Sequence, residues 1–220
     1  MSRQAVILTL LATLMCGAVF ALWPELDLEV ARLFLRDGAF AGSGASARAL
    51  RWLLYVLPSA ALGGAALMWL AGRLGGRRFL FLVLSMALGP GLLVNVILKD
   101  HWHRPRPVQT MEFGGPDPFR PWYRFDGACE KNCSFVSGET SAAAWLVAPA
   151  SLAPPPLQLP AIVLALGVAA ATGATRMAFG GHYLSDVLFA ILFSLLVAQG
   201  LARLLHRTET TPPKDEPPLP

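Results

Sequence analysis

Three short stretches of this chain concentrate side chains that can handle a phosphate. The first is Lys99-Asp100-His101-Trp102-His103-Arg104-Pro105-Arg106-Pro107, and the second is Phe135-Val136-Ser137-Gly138-Glu139-Thr140. The third is Thr175-Arg176, followed after five residues by His182 and after three more by Asp186. Arginine forks match pairs of phosphate oxygens, and lysine adds a point charge. A helix beginning at Ser137-Gly138 presents free backbone N–H groups, which are further donors to an anion. A His and an Asp four positions apart at a helix start can meet. The carboxylate then fixes the proton on one ring nitrogen, frees the other to attack phosphorus and stabilises the positive charge that develops. Taken singly, each stretch has a plainer reading: cations at a span end are commonly interface anchors, Ser-Gly is commonly a helix cap, and a lone loop His is commonly solvated. Together they contain the parts needed to hold a phosphate and displace its ester oxygen.

The elements that must position these residues are membrane helices. The chain has 220 residues, of which 55% are hydrophobic and only 15% charged, and the apolar residues fall in long blocks. Crossing a hydrocarbon core takes roughly 20 mostly apolar residues. Six blocks qualify: residues 5–23, 52–71, 79–98, 136–152, 159–177 and 187–205. The fourth is the weakest, because Ser137, Glu139, Thr140 and Ser141 occupy its start. The first ends on Phe20, Leu22 and Trp23, which favours a retained helix over a cleaved signal peptide. Between residues 24 and 51, Glu25, Asp27 and Glu29 are spaced through Leu26, Leu28, Val30 and Leu33, the pattern of a short amphipathic helix on the membrane surface. Residues 100–135 form a long polar loop that carries part of the site outside the bilayer. The fold class is therefore all-α, a six-transmembrane-helix bundle forming one domain over residues 1–205, with the chemistry in 99–186. The polar, Pro-rich residues 206–220 read as a disordered cytoplasmic tail. The net charge of +4 is scattered among hydrophobic spans without a basic run or a stacking-aromatic module, which argues against a nucleic-acid partner. The partners are the bilayer and a lipid within it.

Orientation rests on a divided count. With the amino terminus inside, the cytoplasmic segments hold Arg3, Arg73, Arg77, Arg78, Arg203, Arg207 and Lys214, leaving 11 of the 18 cations outside. The raw count opposes the positive-inside bias. The densest short-loop cluster, Arg73 with Arg77-Arg78, nevertheless lies tight against two span ends, where that bias is strongest. Several of the outer cations belong to the phosphate stretches, and Cys129 and Cys133 suit an oxidising compartment. These features favour an inside amino terminus, which puts all three stretches on the outer face. Cys129 and Cys133 are placed to form a disulfide closing a small loop over the site, with two free thiols as the alternative.

In order and spacing, the three stretches resemble the K-x6-R-P, P-S-G-H and S-R-x5-H-x3-D motifs of the type 2 phosphatidic acid phosphatase family, which includes bacterial lipid phosphatases. The resemblance covers residues 99–186 and extends to the six spans. It implies that Lys99, Arg106 and Arg176 bind the phosphate with help from Ser137 and Gly138. His182 then forms a phosphohistidine and Asp186 orients it, and neither metal nor cofactor is implied. Val136 replaces the family's Pro and Thr175 its Ser, while Glu139 stands where the family has the His that protonates the leaving oxygen. A glutamate can donate only if it is held protonated, against a reference pKa of about 4.3. Burial raises that value and neighbouring cations lower it. Glu139 is the expected general acid, with His101 and His103 as the other candidates. The stretch from Cys129 to Glu139 is similar to lipid A phosphatases, so a lipid A phosphate in the bacterial inner membrane is the favoured substrate. Undecaprenyl diphosphate, phosphatidylglycerol phosphate and phosphatidic acid use the same catalytic parts. A phospholipid-binding protein that has lost turnover is the alternative outside enzymology.

Overall fold

With no water in a bilayer core to satisfy N–H and C=O groups, each crossing segment must close its own backbone hydrogen bonds, and the apolar blocks of this chain do so as helices. The computed structural model describes residues 3–207. In chain order the elements are α1 (Arg3–Leu22), α2 (Glu25–Arg32) and a two-stranded hairpin of β1 (Leu35–Arg36) and β2 (Ala39–Phe40). Next come α3 (Ala45–Leu70) and α4 (Gly76–Met86), which runs through a π-helical segment, Ala87–Leu98, into α5 (Lys99–His101). After a long loop follow α6 (Gly138–Trp145), α7 (Val147–Ala150), α8 (Pro155–Ala178) and α9 (Leu184–Arg207).

Among the described residues, five helices are long and apolar enough to cross a membrane: Arg3–Leu22, Ala45–Leu70, Gly76–His101, Pro155–Ala178 and Leu184–Leu205. The fourth expected span, residues 136–152, is instead the pair of short helices α6 and α7, and it lies inside the bundle. Ser137 shortens it at its start, because its side chain accepts from the Thr140 N–H and sets the helix boundary there. Pro149 and Pro154 limit it at the other end. Ala143 and Ala144 are small enough to let α6 pack closely on Ala169 of α8, and Ser141 bonds Ser194 of α9 at 2.7 Å. Of the tail expected to be disordered, residues 206 and 207 continue α9, and the rest lies outside the described residues.

Two packed regions hold the bundle. Phe20 of α1, Val94 and Leu98 of the π-helical segment, Phe135 and Phe189 of α9 pack beneath the long loop. Toward the other end, Phe81, Leu82, Trp145 and Ala198 pack together, and the Trp145 indole donates to Ser85 Oγ at 2.9 Å. The helix expected between residues 24 and 51 is present as α2, with one difference. Asp27 does not join Glu25 and Glu29 at the surface; it is turned inward and buried with Leu28 and Ala31. The reason lies in the long loop, whose Arg104 meets it.

Candidate active site

His182 sits in the turn between α8 and α9, only 2% exposed. Its Nδ1 lies 2.7 Å from the Ser134 carbonyl oxygen, whereas the nearest Asp186 oxygen is 3.8 Å away. A carbonyl can only accept, so Nδ1 carries the proton and the Nε2 lone pair is free. The expected His–Asp contact is thus relayed. Asp186 Oδ2 accepts from the Ser134 hydroxyl and from the Tyr183 N–H (2.9 Å), and the carbonyl of that same Ser134 holds the imidazole. Burial, with Arg176 and Lys99 nearby, outweighs the pull of Asp186 and lowers the His182 pKa to about 4.

Behind Asp186 lies a buried ionic cluster that sequence reasoning did not assign. Arg104 donates to Asp186 Oδ1 (2.5 Å), to Ser185 Oγ (2.8 Å) and to Asp27 Oδ2 (2.7 Å). Ser185 in turn donates to Asp27 through both its N–H (2.8 Å) and its hydroxyl (2.6 Å). The guanidinium stacks over the Tyr183 ring at 4.3 Å. Burial disfavours its charge, but Asp186 and Asp27 outweigh burial and raise its pKa. Burial dominates at Asp27, whose pKa is raised despite Arg104. Arg104 was visible inside the first stretch, but it belongs to none of the family's fixed positions, and Asp27 carried no signal beyond being an acid among apolar residues.

The remaining motif residues converge in front of His182. Ser137 is the N-cap of α6, and its N–H donates to the Asp186 carbonyl at 3.2 Å, which ties the second stretch to the third. Its hydroxyl is occupied by Thr140, so what it offers an anion is the helix start rather than its side chain. Gly138 lets the chain pass close to the first stretch: a Cβ there would stand 2.6 Å from Asn95 Oδ1 and 3.1 Å from Lys99 Nζ. Gly181 gives the same clearance to Arg176, with a Cβ only 2.5 Å from Nη2. The buried Arg176 Nε has no hydrogen-bond partner among the described residues, as a donor reserved for an anion would have none. Lys99 donates to Asn132 Oδ1 at 3.1 Å and Arg106 to the Asn132 carbonyl at 2.8 Å. Burial lowers the Arg106 pKa from its ordinary value. Cys129 and Cys133 are joined in a disulfide beside these cations.

Glu139 faces Arg176 at 3.5 Å and is gripped by Arg51 of α3, whose Nε and Nη2 donate to its two oxygens at 3.0 and 2.5 Å. Burial pushes the carboxyl up, but the Arg51 and Arg176 guanidiniums outweigh it and hold its pKa below the usual glutamate value. Arg51 was not singled out in the sequence, where it only ends the stretch between residues 24 and 51, since nothing local links it to a residue 88 positions away. Of the other candidate acids, His101 Nδ1 faces the Ile97 carbonyl (2.8 Å) and His103 Nδ1 the Cys129 carbonyl (2.9 Å).

The assembly pairs a desolvated imidazole of fixed tautomer with four cations and a helix start, which suits nucleophilic attack on a phosphoester. The family model described as the PAP2 superfamily matches residues 78–209. A lipid A 4'-phosphatase of Francisella tularensis subsp. novicida (strain U112) is 32% identical over 219 residues, covering 94% of this chain and 98% of its own length. Lipid A 4'-phosphatases of Rhizobium leguminosarum and Rhizobium etli are 44% and 46% identical over 126 residues, or 57% of this chain. The chain spans about half the length of these two relatives, 53% and 48%. No solved structure matches. With the family model covering more than half of the chain and the Francisella relative aligned nearly end to end, the chain belongs to the PAP2 superfamily and is a membrane phosphatase.

Proposed function

We propose that this protein removes a phosphate from lipid A through a phosphohistidine intermediate, at the outer face of the bacterial inner membrane. The observation that carries the mechanism is the Ser134 carbonyl on His182 Nδ1, which leaves Nε2 as the nucleophile. Lys99, Arg106 and Arg176, with the α6 start at Ser137-Gly138, hold the phosphate and stabilise the charge spread over its oxygens in the transition state. Nε2 attacks phosphorus, the P–O bond to the sugar breaks, and the leaving oxygen takes a proton from Glu139. Water then attacks the phosphohistidine, giving up a proton to Glu139, and phosphate departs. Asp186, through Ser134, keeps the ring aligned and offsets the positive charge it gains.

Glu139 must be protonated for the first step, yet its contacts with Arg51 and Arg176 favour the ionised form. An arriving phosphate attracts those guanidiniums to its own oxygens. That removes the cause of the lowered pKa and brings an anion beside the carboxyl, and both changes favour its protonation. Lipid A as the substrate is supported by the three relatives named as lipid A 4'-phosphatases. The same reading counts the α6–α7 segment as a sixth, short crossing enclosed by the others and lays α2 at the membrane interface. The cluster of Arg73, Arg77 and Arg78 supports an inside amino terminus and an outward site.

The test is phosphate release by the detergent-purified protein and its His182→Ala variant, without added metal. The panel is lipid A, undecaprenyl diphosphate, phosphatidylglycerol phosphate and phosphatidic acid. Release from lipid A by the wild type alone supports the proposal. Preference for another lipid overturns the substrate, and equal release by both proteins overturns the nucleophile.

A further inference from the structure

The segment between the first and second stretches contains a loop that the proposed chemistry does not use. Cys129 and Cys133 close it covalently, and its backbone is fastened along the first stretch. The Cys129 N–H donates to the His103 carbonyl (3.3 Å), the Cys133 N–H to the Lys99 carbonyl (3.2 Å) and the Ser134 N–H to the Arg104 carbonyl (2.9 Å). At the turn of this loop Asn132 adopts a left-handed conformation, φ 53°, which asparagine tolerates better than most residues. There it presents two neutral oxygens in different directions. Its side-chain oxygen accepts from Lys99 Nζ and its backbone oxygen from Arg106 Nη2, while its N–H reaches Asp100 Oδ1 at 3.4 Å.

Lys99 and Arg106 are long, flexible cations that repel one another and lose rotamer entropy when they converge. Among the described residues no carboxylate forms an ion pair with either cation, and Glu139 is engaged by Arg51 and Arg176. We propose that Asn132, held in place by the Cys129–Cys133 loop, is a positioning residue that keeps Lys99 and Arg106 converged on the site of the substrate phosphate before the substrate arrives. The inference rests on the reading of those two cations as phosphate ligands. A neutral acceptor suits the task, because it holds the donors without cancelling their charge and yields to a phosphate oxygen. The disulfide keeps the loop from losing this geometry when the ligand leaves.

The test uses the full-length protein in detergent and measures KM and kcat with lipid A, together with the inhibition constant of inorganic phosphate. Asn132→Gly accepts the left-handed backbone and keeps the Arg106 contact but deletes the oxygen on Lys99. It should raise both KM and the phosphate inhibition constant about tenfold, as loss of a hydrogen bond to a charged group does, with kcat within about threefold of wild type. Reduction of the wild type with dithiothreitol should produce a shift of the same kind and add nothing further in Asn132→Gly. A merely structural role would instead lower the melting temperature and the active fraction and leave KM unchanged. The proposal is overturned if Asn132→Gly binds phosphate as the wild type does, or if reduction and substitution act additively. Arg106→Ala is the control for the underlying reading. If it leaves phosphate inhibition unchanged, the phosphate site itself is misassigned; if it weakens inhibition while Asn132→Gly does not, only the role of Asn132 fails.

Discussion

At the residue scale, the decisive feature is a carboxylate standing where the family uses an imidazole. The motif made Glu139 conspicuous, but its grip by Arg51 was not legible, because a contact between residues 51 and 139 depends on how α3 packs beside α6. As the proposed acid, Glu139 cannot be replaced by its amide. Glu139→Gln should slow the phosphohistidine-forming step at least about 100-fold, within the usual range for a lost general acid, whereas Glu139→His should keep much of the rate. Rapid-quench measurement of the first turnover checks this, and a wild-type rate in the Gln variant would move the proton to His101 or His103. The depressed pKa of His182, about 4 against roughly 6.5 for an unperturbed imidazole, has a signed consequence. Between those values the unfolded chain binds a proton that the folded chain refuses. The contribution of His182 to stability is therefore complete above about pH 6.5 and is lost progressively as the pH falls toward about 4. For the same reason the imidazole, as the proposed nucleophile, stays neutral down to that range. The acidic limb of kcat/KM attributable to His182 should fall near pH 4, and a limb near 6.5 would show that the ring is far better solvated than the structure has it.

At the scale of elements, the sequence marked where helices begin better than how they sit. Ser137 as a cap was readable from its type and position, and so was the helicity of α2. The inward turn of Asp27 was not, since periodicity places an acid on a face but does not reveal an arginine waiting in a loop 77 residues away. That loop-to-helix link should be costly to break. Arg104→Met leaves Asp27 and Asp186 buried without their shared cation, and removing one partner of a buried ionic cluster typically costs about 3–5 kcal/mol. The variant should therefore melt well below wild type in detergent, and a melting temperature unchanged within a degree or two would mean that water already serves the two carboxylates. The third span illustrates a different limit. Its hydropathy predicted a plain helix, yet residues 87–98 are π-helical around Pro90, whose carbonyl accepts from the Asn95 side chain at 2.7 Å. Wide turns of this kind shift the face on which every later residue emerges, here Lys99, and apolar composition carries no record of them.

At the scale of the whole molecule, composition showed a helical membrane protein, and the positive cluster at the turn before α4 suggested its direction. In intact cells with a permeabilised outer membrane, a membrane-impermeant thiol reagent should label Glu112→Cys and spare Gly75→Cys, because the proposed orientation puts only the first on the outer side. The reverse pattern would invert the topology. Both positions are exposed, and the native cysteines are either buried or disulfide-bonded. The family match begins at residue 78, yet two residues of the site, Asp27 and Arg51, come from the part of the chain before it. The proposed nucleophile, the proposed phosphate-binding cations and the disulfide all lie on the other side of the exposed turn at residues 71–75. The protein is in effect two unequal pieces sharing one active site, and that turn is where it can be divided. Expressed alone, a piece starting at residue 76 should be inactive for want of its two missing partners. Co-expressed with residues 1–75 as a separate polypeptide, it should recover phosphate release by reassembly in the membrane.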